Sequence, residues 1–354
     1  MKISALESLL EKSLPHKRRL LVVGPPGVGK SFAKRAVCRR IGWDYIPLSA
    51  PLQSPVKVGG YPKASADPAG DATHQLFNGI ARAFRATRPT LLDWDDLGMG
   101  GGETLKSILD LVQFGTIDDK TLPDCVTIGA SSNDVGHGAD VQGMIEPLKN
   151  RWHSIIHVEL DIDDVVLYGL THGWPGWLLG WAKNDVSWAT SWKPTKSLKV
   201  DGCTPRGIEY VAEWDAIGID DVEVWAGAVG SGSAASMLAF KGLQAELPDI
   251  DQVLLDPTGA PVPENPSAKW LISMALATRL DGNTFGPALV YLQRLTQPLR
   301  FFSIKSAFHA ESARRADGTL PAGYKPIHAA RDFVAWTSTE DGKDLLSAHA
   351  ASRR

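Results

Sequence analysis

The segment RRLLVVGPPGVGKSFAKRAVCRR, residues 18–40, constrains the fold more than any other part of the chain. A continuous apolar run passes into a turn rich in glycine and proline, and a helical pattern follows without pause. That order predicts a buried strand feeding a helix, the opening of a parallel α/β unit. The turn reads GPPGVGKS from Gly24 to Ser31 and fits G-x-x-x-x-G-K-[ST]. In this context glycines let backbone N–H groups turn inward around phosphate oxygens, and the helix N-terminus adds partial positive charge. The candidate cradle is therefore Gly24, Pro25, Pro26, Gly27, Val28 and Gly29, with Lys30, Ser31 and Phe32 opening the helix. Lys30 is suited to the β- and γ-phosphates and Ser31 to Mg2+.

A second run, LLDWDDLG at 91–98, ends in three acids, Asp93, Asp95 and Asp96. Carboxylates this close repel and raise one another's pKa unless a cation sits among them. Mg2+ shared with bound phosphate supplies one. Counting from Leu91, four mostly apolar residues precede Asp95 and Asp96, the order in which P-loop motors place a metal ligand and then an acid that orients the attacking water. Asp95 is assigned to the metal and Asp96 to the water. Asp93 shares a strand face with Asp95, as a supporting group or, in a shifted register, as the ligand itself.

Strand-like runs at 46–50, 90–94, 126–131 and 154–160 join the first, and helical stretches at 74–86 and 104–114 separate them. Residues 5–14 read as a short amphipathic helix. The fold class expected is α/β, a doubly wound parallel five-stranded sheet of P-loop NTPase type, followed by helical segments. Strand signals fade after about residue 161, which sets a boundary there. Segments 246–268 and 310–326 read as long loops.

Composition narrows function. With 354 residues, 44% hydrophobic, 22% charged and net charge −3, the chain is neither disordered nor broadly basic. Attraction of nucleic acid to the whole surface is unsupported. Cys38, Cys125 and Cys203 are odd in number and widely spaced, so no disulfide framework is expected. The first residues carry acids and lack an apolar core, unlike a secretory signal, and no stretch is long enough to span a membrane. A cytoplasmic place is expected.

With the loop and the acid strand in hand, the chain resembles the AAA+ ATPases, and among them the MoxR-like group, especially its phage-type members. The resemblance is close over residues 18–215, looser to about 300, where LLDPTGAPVPENP still fits, and silent beyond. It implies an αβα nucleotide-binding domain over 1–160, a helical lid over 161–240 and a helical extension over 241–354. It also implies ATP and Mg2+, and a homo-oligomeric, hexameric ring that remodels a protein. In that group a von Willebrand factor A domain protein often serves as partner. Asn133, ending VTIGASSN, matches the family's sensor 1. Arg151, in EPLKNRWHSII, matches its arginine finger, which acts on a neighbour's nucleotide. Arg206, in TPRGIEY, matches sensor 2, on a helix that Thr204 caps and Pro205 starts. One departure stands out: the family commonly has Glu where this chain has Asp96, a shorter acid compatible with slow turnover or use of ATP as a switch, although phage-type relatives also carry Asp there and no loss of activity is inferred. A motor acting on nucleic acid and an ATP-gated scaffold with little hydrolysis are the alternatives.

Other features are weaker. His153 and His157 have the spacing of a helical zinc pair but fall in a strand, where they lie about 13 Å apart. Trp174, Trp177, Trp181, Trp188 and Trp192 recur at helical spacing and suit core or interface packing. Residues 56–70 suit either a plain turn or, by the resemblance, a pore-facing insert with Tyr61 and Lys63 gripping substrate. Residues 115–123 suggest a short hairpin turning near Asp118 and Asp119.

Overall fold

The computed structural model describes residues 1–67, 70–118, 120–134, 145–195, 197–316 and 318–351. Five strands form one sheet: β1 (Leu20–Val23), β2 (Asp44–Ser49), β3 (Thr90–Asp95), β4 (Val126–Ser132) and β5 (Ser154–His157), in spatial order β2-β3-β4-β1-β5. Every pairing in it is parallel. All the strands therefore finish on one edge, where Val23 stands opposite Ser132 and His157, and Asp95 opposite Ser49.

Alternation along the strands covers both faces. Leu20, Val22 and Leu91 pack with Leu6 and Leu10 of the helix Ile3–Ser13 and with Ala33 and Val37 of the helix Lys30–Arg40. Leu21, Val23, Leu92 and Trp94 point the other way, toward Ile80, Ala83, Leu105 and Leu111 of the helices beyond β2 and β3. A parallel sheet buried on both faces needs such unbroken apolar strands. This is the doubly wound P-loop arrangement that the sequence predicts.

Four local expectations change. The helix expected over 74–86 spans only Asn78–Phe84, because Thr73–Gln75 pairs antiparallel with Tyr61–Lys63. The helix expected over 104–114 breaks at Ile108, whose φ of −98° and ψ of 1° leave the helical region, into Gly102–Ser107 and Leu109–Phe114. The loop expected over 246–268 contains the helix Ile250–Leu255, started by Asp249, whose carboxylate accepts from the N–H groups of Asp251 and Gln252. The loop expected over 310–326 begins inside the helix Gln297–Ala316. The hairpin near 115–123 is present, Thr116–Ile117 against Lys120–Thr121, with Asp118 at φ 49°. Asp119 lies outside the described residues.

Met1–Asp161 makes one compact unit, and the chain from Ile162 onward builds a second, apart from a short segment at Lys193. In the second unit Trp174, Trp177, Trp181 and Trp188 are buried. Trp177 stacks on Trp225 with centroids 5.5 Å apart, and Trp181 on Trp188 at 6.2 Å. Their indole N–H groups donate to Asp215, Ser236 and the carbonyl of Ala182. These tryptophans are core residues of the unit, which also has a largely aliphatic cluster around Ile272, Leu276, Phe285 and Leu292. Lys241 closes the stack, 2.6 Å from Asp215 and 2.5 Å from Asp220, over the rings of Trp177 and Trp225. Cys38, Cys125 and Cys203 are free thiols, and burial above all pushes Cys38 and Cys203 up to about 12. No helix among the described residues is long and apolar enough to cross a membrane.

Of the three crowded acids, Asp93 has its own cation. It is fully buried, with Lys34 Nζ 2.5 Å from one oxygen and the Tyr45 hydroxyl donating to the other at 2.7 Å. Both carboxylate oxygens of Asp93 are thus engaged by groups of the protein itself. Removing one member of such a pair strands a buried charge, whereas replacing both with apolar groups of similar volume is near neutral. Lys34→Met is expected to cost about 3 to 5 kcal/mol in denaturant unfolding, and Lys34→Met combined with Asp93→Leu is expected to recover most of it.

Candidate nucleotide site

The loop between β1 and its helix curls because Gly27 (φ 72°) and Gly29 (φ 101°) take the left-handed conformation, which side chains resist. Gly24 is required for a different reason: a Cβ there would lie 2.5 Å from a methyl of Val158 and 2.6 Å from its carbonyl oxygen. Lys30, 7% exposed, turns back over the loop. Its Nζ donates to the carbonyls of Gly24 and Pro25, each at 2.8 Å, and to Asn133 Oδ1 at 2.9 Å. The loop, the helix start and the end of β4 are thus tied through one ammonium group.

Asp95 gathers a second set. Its Oδ1 accepts from Ser31 Oγ at 2.8 Å, from Ser131 Oγ at 2.5 Å and from the N–H of Asp96 at 3.2 Å. Burial works against ionisation of Asp95. The hydrogen bonds from Ser131 and Ser31, the charge of Lys34 and the Asp96 N–H outweigh it and hold the carboxyl below its usual range. Asp96 follows in the left-handed region (φ 51°, ψ 43°), where a residue other than glycine is uncommon. Ser132 Oγ accepts from the N–H of Gly98 and donates to the carbonyl of Asn133, joining the turn after β3 to the end of β4.

Of the residues singled out in the sequence, Gly24 to Ser31, Asp95, Asp96 and Asn133 therefore meet at the C-terminal edge of the sheet, and Phe32 follows, 42% exposed, on the first helical turn. Arg151 does not join them. It precedes β5, which runs beside β1 with Ser154 opposite Leu20, so it lies beyond the opposite edge. Its Nη1 donates to the carbonyl of Pro147. Arg206 belongs to the second unit, exposed in the first turn of the helix Pro205–Ala216, where Thr204 Oγ1 accepts from the N–H of Gly207 as an N-cap. Sequence reasoning missed Ser131, Lys34 and Tyr45. Lys34 was findable, four residues after Lys30 and hence on its helix face. Among the described residues no cluster of metal-ligating side chains occurs, and His153 Nδ1 accepts instead from the N–H of Arg19.

No protein-family model matches the chain. The replication factor C large subunit of Methanothrix thermoacetophila is 42% identical over 48 residues, which are 14% of this chain and 10% of that protein. The match thus spans about one tenth of that relative's length. Among solved structures, the Holliday junction branch migration motor RuvB of Thermotoga maritima is 15% identical over 82% of this chain and 86% of that one, with a TM-score of 0.40. NtrX of Brucella abortus in complex with ADP is 16% identical over 89% of this chain and 67% of that one, with a TM-score of 0.41. The fold rests on the strand order and the loop.

Asp95 supplies a direct test of the electrostatics. A carboxyl whose folded pKa lies below its unfolded value adds stability in full above the unfolded pKa, about 3.9. That stability is lost as pH falls through the folded one. Carboxyl NMR should show Asp95 titrating below about 3.9, and Ser131→Ala should raise its midpoint and lessen the acid loss of stability.

Proposed function

We propose that the chain is an ATP-hydrolysing AAA+ ring motor of MoxR-like type that binds ATP with Mg2+ between subunits. The observation that carries this reading is the convergence of Lys30, Ser31, Asp95, Asp96 and Asn133 on one strand edge beside a loop built for phosphate. The residues suit the nucleotide: Gly27 and Gly29 hold the left-handed backbone that lets such a loop wrap a phosphate, and Gly24 packs so closely on Val158 that no side chain fits there. Gly24, Pro25, Pro26, Gly27, Val28, Gly29, Lys30 and Ser31 would hold the phosphates. Ser31 and Asp95, an ionised carboxylate already bonded to that hydroxyl, would hold Mg2+. When bound, the metal supplies charge neutralisation at the phosphate oxygens.

Lys30 lends positive charge beside the loop, and its contact with Asn133 fixes the amide next to the reacting end. Asp96 orients water, and its left-handed backbone supports that role because strained residues concentrate where geometry must be held. Asn133 aligns the same water. Arg151, beyond the far edge, suits action on a neighbour's nucleotide, with Arg206 of the lid completing the charge. The lid is assigned to residues 161–240 and the extension to 241–354. Remodelling of a protein, with a von Willebrand factor A domain protein as partner, follows from the MoxR-like resemblance, and a net charge of −3 gives no support to a nucleic-acid track.

Phosphate release measured against protein concentration, with particle mass recorded in ATP, tests the reading. The rate per subunit should climb with assembly and fall about 1,000-fold or more in Arg151→Ala, the range for loss of an arginine finger. A rate independent of concentration and of Arg151 would remove the ring mechanism. Asp96→Asn should lower kcat by about 100-fold or more while ADP binding persists. Assembly in ATP without phosphate release, unchanged in Asp96→Glu, would instead identify a scaffold.

A further inference from the structure

We infer that Lys34, Asp93 and Tyr45 are positioning residues for the Ser31–Asp95 pair, holding helix and strand at the spacing that a divalent cation between them requires. This inference rests on the reading of the site as one for nucleotide and Mg2+. Ser31 and Lys34 are three residues apart on one helix, and Asp93 and Asp95 are two apart on one strand, so each pair shares a face. The consequence is two parallel bridges between the same two elements. The outer one, Ser31 to Asp95 at 2.8 Å, is partly open, while the inner one, Lys34 to Asp93 at 2.5 Å, is sealed, with the two residues 1% and 0% exposed.

Tyr45 ties in a third element. From β2 its hydroxyl holds the second oxygen of Asp93 at 2.7 Å, which fixes the plane of the carboxylate as well as its position. An ion pair buried this deeply adds little net stability over apolar packing of the same volume. It does, however, set a direction and a length that apolar contacts do not. Mg2+ demands near-octahedral geometry at about 2.0–2.1 Å, so a small slide of the helix along β3 would be felt first at the Ser31–Asp95 pair. Partners that orient metal ligands from behind typically contribute about 10- to 100-fold in metal affinity.

The test compares the full-length wild type with Lys34→Met/Asp93→Leu and with Tyr45→Phe, using fluorescently labelled ADP as the probe, first in EDTA and then across a Mg2+ titration. Thermal melts are recorded alongside. All three proteins should bind ADP in EDTA with similar affinity. The apparent Mg2+ affinity should weaken about 10- to 100-fold in the double variant and by a smaller factor in Tyr45→Phe. A folded double variant whose Mg2+ titration matches the wild type would overturn the inference alone, and should that variant not fold, an unmoved titration in Tyr45→Phe would do the same. Failure of the wild type to bind ADP at all would overturn the nucleotide reading and this inference with it.

Discussion

The ammonium group of Lys30 closes the loop onto its own helix, and the arrangement of the site depends on that closure. Its N–H groups donate to the carbonyls of Gly24 and Pro25 and to the amide oxygen of Asn133. A buried charge is tolerated only when hydrogen bonded in this way. Because the acceptors come from just beyond β1 and from just beyond β4, the lysine also locks the ends of two neighbouring strands to the turn that follows β1. The helix that begins at Lys30 then lies across β3 with Ser31 and Lys34 facing its two same-side carboxylates. One helix start thus sets the relative positions of three strand ends.

Most of this was legible because it is local. A glycine-rich turn between an apolar run and a helical pattern has few ways to fold, and the five strands announced themselves as short strand-like runs between turn and helix signals. Partner choice across the sheet was not legible. Nothing in the spacing of Asp93, Asp95 and Asp96 says which of them meets a lysine from the facing helix; the structure pairs Asp93 with Lys34. The sequence reading assumed that crowding implied a metal, whereas one of the three carboxylates is neutralised from within. The short strand at Thr73–Gln75 was hidden for a related reason: Thr, His and Gln carry no strand signal of their own, and the partner at Tyr61–Lys63 decides their conformation.

In one part of the second unit, around the helix Gly176–Asn184, tryptophans take the place that branched aliphatics hold in the sheet. Trp177, Trp181, Trp188 and Trp225 are large enough to fill the space between short helices, and each needs a hydrogen-bond acceptor for its indole. Those acceptors are supplied by Asp215, Ser236 and two backbone carbonyls. Composition alone could not tell this use of tryptophan from a binding surface.

Arg151 and the phosphate loop lie beyond opposite edges of the same parallel sheet. If each chain's arginine serves the next chain's loop, the contact joins two unlike surfaces, so an assembly of identical copies has a direction. Such a chain of subunits always ends with one loop that no arginine reaches, unless the last copy meets the first. Closure would then do more than hold the particle together: it would complete the last site, and a single gap anywhere would leave one nucleotide without its partner charge.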